Sequence, residues 1–125
     1  MILYFILLLA LLQIKHWYID FVNQTTEEVH SKGIYGDEAG LWHSGKHGLA
    51  TVVCVLLVTG TGYVMEAMYI GCLDFLLHYH IDWAKININK KKNYTVETKE
   101  FWAWLGFDQL MHQLTYLAIL YFVFA

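Results

Sequence analysis

Four histidine–aspartate pairs stand four residues apart: His16 and Asp20, Asp74 and His78, His78 and Asp82, Asp108 and His112. In a helix that spacing stacks two side chains on one face, one turn apart. Seven His and five Asp placed at random would give about half such a pair. His43 and His47 add a further pair of ligand type. Imidazole nitrogen and carboxylate oxygen are ligands for Zn, Mn or Fe. The predicted metal set is His16, Asp20, His47, His78, Asp82, Asp108 and His112. Seven ligands exceed one tetrahedral site and suit one ion with charged neighbours, or two ions. A carboxylate not spent on metal, Asp20 or Asp108, could take a proton from a bound water. Lys85, one turn beyond His78 and Asp82, could meet a phosphate. These three are the predicted catalytic groups.

The elements that must position these residues are apolar helices. Met1–Leu12 is unbroken apolar sequence and the run continues to Val22, with no positive region before it and no small-x-small cleavage site after it. A retained span over 1–22 is expected, since about 20 residues cross a bilayer. Asp37 can cap a helix starting near Glu38. Between Gly48 and Leu77 only Glu66 and Asp74 are charged, and Thr59-Gly60-Thr61-Gly62 supplies a break. Spans are therefore expected over about 39–60 and 62–85, and a fourth over 101–124. The predicted fold is all-α, a single transmembrane domain over 1–125, an integral membrane four-helix bundle of up-down topology. Its loops are 23–38 and 86–100.

Up-down topology brings His16/Asp20, His43/His47, His78/Asp82 and Asp108/His112 to one membrane level. All eight lysines lie on or beside the loop face, as do Trp17, Trp42, Trp83, Trp102 and Trp104. Positive charge marks the cytoplasmic side, and indole rings favour the headgroup level. Termini outside and long loops in the cytoplasm are expected, in a multi-pass protein of the cell inner membrane.

Each residue has a plainer reading. His30, His43 and His80 read as interfacial or hydrogen-bonded; His80 sits roughly 200° around the helix from His78. The His–Asp pairs read equally as a buried ion-pair network. Asp74 reads as orienting His78, Glu66 as an interfacial carboxylate, and Gln109 and Gln113 as polar glue between helices. Lys90–Lys92 reads as a topology signal and an anionic-lipid contact.

Composition excludes several classes. Hydrophobic residues make up 58% and charged ones 15% of 125 residues, against about 25% charged in soluble domains. A small soluble core cannot hide that much apolar surface. Disorder is excluded by the same figures. Net charge −3 with eight Lys and no Arg argues against a nucleic-acid partner. Cys54 and Cys72 lie in apolar runs, which disfavours a disulfide framework.

The pieces His16-x-x-x-Asp20-Phe21-x-x-Gln24, His47, His78-x-x-Ile81-Asp82-Trp83-x-Lys85 and Asp108-Gln109-x-x-His112 together resemble domain-of-unknown-function family 3307. That is a group of small bacterial and phage multi-span membrane proteins. The resemblance spans nearly the whole chain, and the closing Asp-Gln-x-x-His piece is its most distinctive part. It implies a helical membrane protein with a metal centre, of bacterial or phage origin. A looser likeness is to inner-membrane proteins described as metal-dependent hydrolases. His43 and the lysine-rich 86–99 stretch lie outside the motif.

The expected function is a membrane-embedded metal-dependent hydrolase with a His/Asp centre near the cytoplasmic face, acting on a phosphoester or lipid headgroup. One or two Zn, Mn or Fe ions would serve it. Membrane lipids are the expected partners, an anionic lipid the candidate substrate, and oligomers are allowed. The alternatives are a non-enzymatic metal-binding or ion-transporting bundle, a redox protein (di-metal or haem, with His47 and His112 as axial ligands), and a structural interaction protein.

Overall fold

The structure, a computed structural model, describes residues 1–125. It is all-α, with five helices and no strand. Helix α1 (Ile2–Trp17) runs directly into a π-helical stretch, Tyr18–Asn23. Helix α2 (Thr26–Ser31) opens on a capping box, in which Thr25 and Glu28 each accept from the other's backbone N–H. Helix α3 (Glu38–Thr59) is capped by Asp37, whose carboxylate accepts from Ala39 N–H at 3.0 Å. It stops at Gly60, φ 85°, a left-handed conformation that suits glycine. A 3₁₀ turn, Thr61–Tyr63, leads into α4 (Val64–Lys92), and α5 is Lys99–Phe124.

Two stretches expected to be loops differ. The 23–38 segment carries α2, for which Thr25 and Glu28 were the sequence signal. The 86–100 segment is mostly helix, because α4 continues to Lys92. Asn87 keeps its side chain satisfied there by donating to the Trp83 and Gly33 carbonyls. The helix ends where Asn93 turns left-handed at φ 56°, with Tyr94 N–H on Asn89 O at 2.9 Å. That is a Schellman-type stop.

The four long helices close a ring of contacts: α1 on α3 and α5, α3 on α4, and α4 on α5, with α2 lying against α3. The α3–α4 crossing is tight at Gly48 and Gly71. A Cβ on either would stand 2.7 Å from the other's carbonyl oxygen, so only glycine lets these backbones meet.

The interior has two halves. One is aliphatic, built on Leu8, Leu12, Val55, Tyr116, Ile119 and Leu120. The other holds histidine, aspartate and lysine. Seventeen of the 31 buried residues are polar or charged. Conversely Leu3, Ile6, Leu57, Tyr69, Leu117 and Phe122 point outward, each half or more exposed. Two helical segments, Ile2–Asn23 and Glu38–Thr59, are long and apolar enough to cross a membrane.

Candidate metal centre

The seven ligand residues named from the sequence are all buried in the polar half. Helix α1 and its π stretch deliver His16 and Asp20, α3 delivers His47, α4 His78 and Asp82, α5 Asp108 and His112. The π stretch widens the helix at Asp20, a deviation frequent at functional sites. Three overlapping donor groups result: Asp20, His43, His47 and His78; His16, His78 and His112; and Asp82, Asp108 and His112. Within each group one donor atom per residue lies within 4.8 Å of the others.

Asp20 Oδ1 is the focus of the first group. His43 Nε2 donates to it at 2.9 Å and His47 Nε2 at 3.0 Å, and His78 Nε2 lies 3.6 Å away. In the third group His112 Nε2 stands 3.3 Å from Asp82 Oδ1 and 3.4 Å from Asp108 Oδ1. The His78 ring is sandwiched between His47 at 3.5 Å and His112 at 4.1 Å, joining the groups. Two donors about 2.0–2.1 Å from one ion are roughly 2.8–3.4 Å apart, from octahedral to tetrahedral geometry. The observed separations lie on or near that range.

Buried atoms without hydrogen-bond partners show where a ligand fits. Both ring nitrogens of His78 lack one, although Nε2 stands 3.3 Å from Asp82 Oδ2, and so do Asp108 Oδ1 and His43 Nδ1. A buried orphan of this kind is costly and wants a reason. A cation at His78 Nε2, beside the carboxylates, supplies one. His43 has a further feature of metal-binding histidines: its Nδ1 faces the Glu28 carboxylate at 3.6 Å.

His16 and His47 fit less well. The orientation of Gln109 is set by its amide, which donates to Asp108 at 3.1 Å. Its carbonyl therefore faces His16 Nε2 at 3.0 Å, while His16 Nδ1 takes the Tyr116 hydroxyl at 2.8 Å. His16 is thus already satisfied as a neutral ring. His47 Nδ1 accepts from Lys15 at 3.5 Å, so an ammonium stands where a ligand histidine needs an acceptor.

Sequence reasoning set His43 aside as interfacial; it is fully buried on Asp20. The His43/His47 spacing was the available signal. Lys15 and Lys32 were missed as site residues. Lys32 reaches in from the end of α2 and stands 3.0 Å from Asp82 Oδ2 and 3.8 Å from Asp20 Oδ1. Burial opposes its charge, but those carboxylates more than offset that and raise its pKa above the ordinary lysine value. Asp74 does not orient His78; it pairs with Lys15 and accepts from Thr51 at 2.6 Å. Lys85 holds Asp108 Oδ2 at 3.0 Å. His80 lies outside the cluster, against Tyr35.

Residues 6–125 match the family described as protein of unknown function (DUF3307), and the chain belongs to it. No curated protein and no solved structure matches it.

Proposed function

We propose that this DUF3307 member is a metal-dependent hydrolase embedded in the cell inner membrane. The observation that carries the reading is His78: fully buried, in no hydrogen bond, with Nε2 facing two carboxylates, Asp82 Oδ2 at 3.3 Å and Asp20 Oδ1 at 3.6 Å.

The residues fit a transition metal in two places. Asp20, His43 and His78 would hold one ion, with His47 alongside; His112, Asp82 and Asp108 would hold a second. A bound divalent metal supplies a water whose pKa is lowered toward about 7. The remaining work belongs to the chain. Asp20 is engaged by histidines and serves as a fixed ligand. Asp108 keeps Oδ1 free of hydrogen bonds and would turn it to the second ion, while Lys85 and Gln109 hold Oδ2. Lys85 and Lys32 would hold a negatively charged substrate group. Glu28 lies 3.6 Å from His43 Nδ1 and would accept from it once Nε2 is held by an ion.

The membrane setting rests on the inverted distribution of polarity, with charge inside and large apolar side chains outside. Helix α4 averages lower in hydropathy because Asp74, His78 and Asp82 lie on its inward face and its last turns carry Asn and Lys. On this reading all four long helices span, the termini lie outside, and the α2 and 93–98 connections face the cytoplasm. Helix α4, 29 residues and about 43 Å long, then carries Lys90–Lys92 beyond the hydrocarbon.

A second reading is favoured by the three lysines. Lys15, Lys32 and Lys85 each sit on a carboxylate. A non-enzymatic bundle, held together by ion pairs with or without metal, would need that neutralisation. Purified protein loaded with Zn or Mn should hydrolyse a phospho- or acyl-ester lipid, and chelator should stop it. Full metal content and intact fold with no turnover on either ester class would sink the hydrolase and leave the metal-binding bundle.

A further inference from the structure

A groove of about 270 Å³ lies between α4 and α5 on the flank of the bundle. Ile81, Ala84 and Ile88 line it from α4, and Trp104, Phe107 and Met111 from α5. Its polar members are few. His80 is already engaged by Tyr35 and the Leu76 carbonyl. The other two, Lys85 and Asp108, also belong to the metal centre. The groove is therefore an apolar slot whose one polar stretch, Lys85 and Asp108 between Ile88/Trp104 and Leu77/Met111, is the candidate reaction site.

We propose that this slot binds the hydrocarbon chain of a single-chain phosphate-headed amphiphile, with its headgroup at Lys85. The inference rests on the hydrolase reading for the fate of the headgroup, but not for the seat of the chain. Three observations converge. The lining matches a hydrocarbon chain. The volume lies just below the roughly 300–1,000 Å³ of ordinary ligand sites, which suits one chain rather than a broad double-chain body. Lys85 is the one ammonium in the lining, and it is only partly buried. Asp108 accepts from both Lys85 and Gln109 through Oδ2 and turns Oδ1 toward His112. With a cation on that second oxygen, the Asp108 charge is offset and Lys85 is released to an anionic head.

Trp104 supplies the readout. Protein in dodecyl maltoside would be titrated with dibromostearoyl lysophosphatidate, whose bromines quench indole emission on contact. A dibromostearoyl monoacylglycerol would be run beside it, each with zinc and with chelator. The expected result is saturable quenching by both, lost in Trp104→Phe and reversed by dodecyl phosphate but not by inorganic phosphate. With zinc the lysophosphatidate should bind about tenfold tighter than the neutral lipid, and Lys85→Gln should erase that preference. Ala84→Phe should fill the slot, and the competition series needs no variant if that protein misfolds. Quenching that never saturates, or that survives Trp104→Phe unchanged, would overturn the proposal. Equal binding of the two lipids in the presence of bound zinc would overturn the headgroup assignment. Saturable binding in a protein that holds no metal would support the slot and remove the hydrolase.

Discussion

The same four helices enclose two interiors of opposite chemistry. Around Leu12, Val55, Ile119 and Leu120 they pack aliphatic side chains in direct contact. One or two turns away they and α2 pack five imidazoles, five carboxylates and the ammonium groups of Lys15 and Lys32. The aliphatic half holds itself together by dispersion and lack of voids. The polar half strips charges of water and leaves several buried polar atoms without hydrogen bonds. Apolar residues of like volume would hold helices together at least as well as buried ion pairs do. On the proposed function the polar half owes its composition to the ion it would bind, and the aliphatic half is the clamp that holds its four walls in register.

Substitutions in the two halves should separate binding from stability. The largest effect is expected for Asp20→Asn, which keeps shape but removes the charge that His43 and His47 share. Zinc affinity, measured by competition with a chelating dye, should fall about 100-fold with the fold retained. An affinity unchanged within a factor of two would count against Asp20 as a ligand. Leu12→Ala should do the reverse. It should destabilise the protein by about 1–3 kcal/mol, below the usual buried-leucine cost because in lipid mainly the cavity contribution remains. Thermal denaturation in detergent measures this, and metal per folded protein should not change.

A smaller effect is expected for Lys32→Gln. Its ammonium stands between Asp82 and Asp20, where it repels an incoming cation. Zinc should bind about tenfold tighter, or about 1.4 kcal/mol. Weaker binding would show that Lys32 supports the centre instead. The smallest effect is a pH dependence at Glu28. Burial would raise its carboxyl, but hydrogen bonds and charge from Lys46 together with the Thr25 cap hold its pKa below the ordinary 4.5. Its contribution is fully present above that pH and is lost as pH falls through the depressed value. Glu28→Gln should flatten the acid limb of a melting-temperature profile, and an identical limb in both proteins would deny the contribution.

The polar half was legible because helical spacing repeats where topology converges. Four pairs at i,i+4, placed at matching ends of successive helices, brought seven ligand candidates to one level. The misses have a common cause, since they depend on contacts between distant segments. Glu28 beside His43, and Lys32 over Asp82, require α2 to fold back onto α3 and α4. In sequence Lys15 counts only among the loop-face lysines because its partner Asp74 is 59 residues away. The π stretch at Asp20 has no signature in composition. The extra length of α4 was hidden by its Asn- and Lys-rich content, although Asn93 is a recognisable left-handed stop.

The central claim is that the polar half seats a transition metal at His78. Elemental analysis of detergent-purified wild-type protein, His78→Ala and Leu12→Ala tests it most directly. The expected result is one or two equivalents of Zn, Mn or Fe in wild type and Leu12→Ala, with a clear loss in His78→Ala. Metal-free wild type that stays folded and takes up no added Zn, Mn or Fe would contradict the claim. So would metal retained in full by His78→Ala.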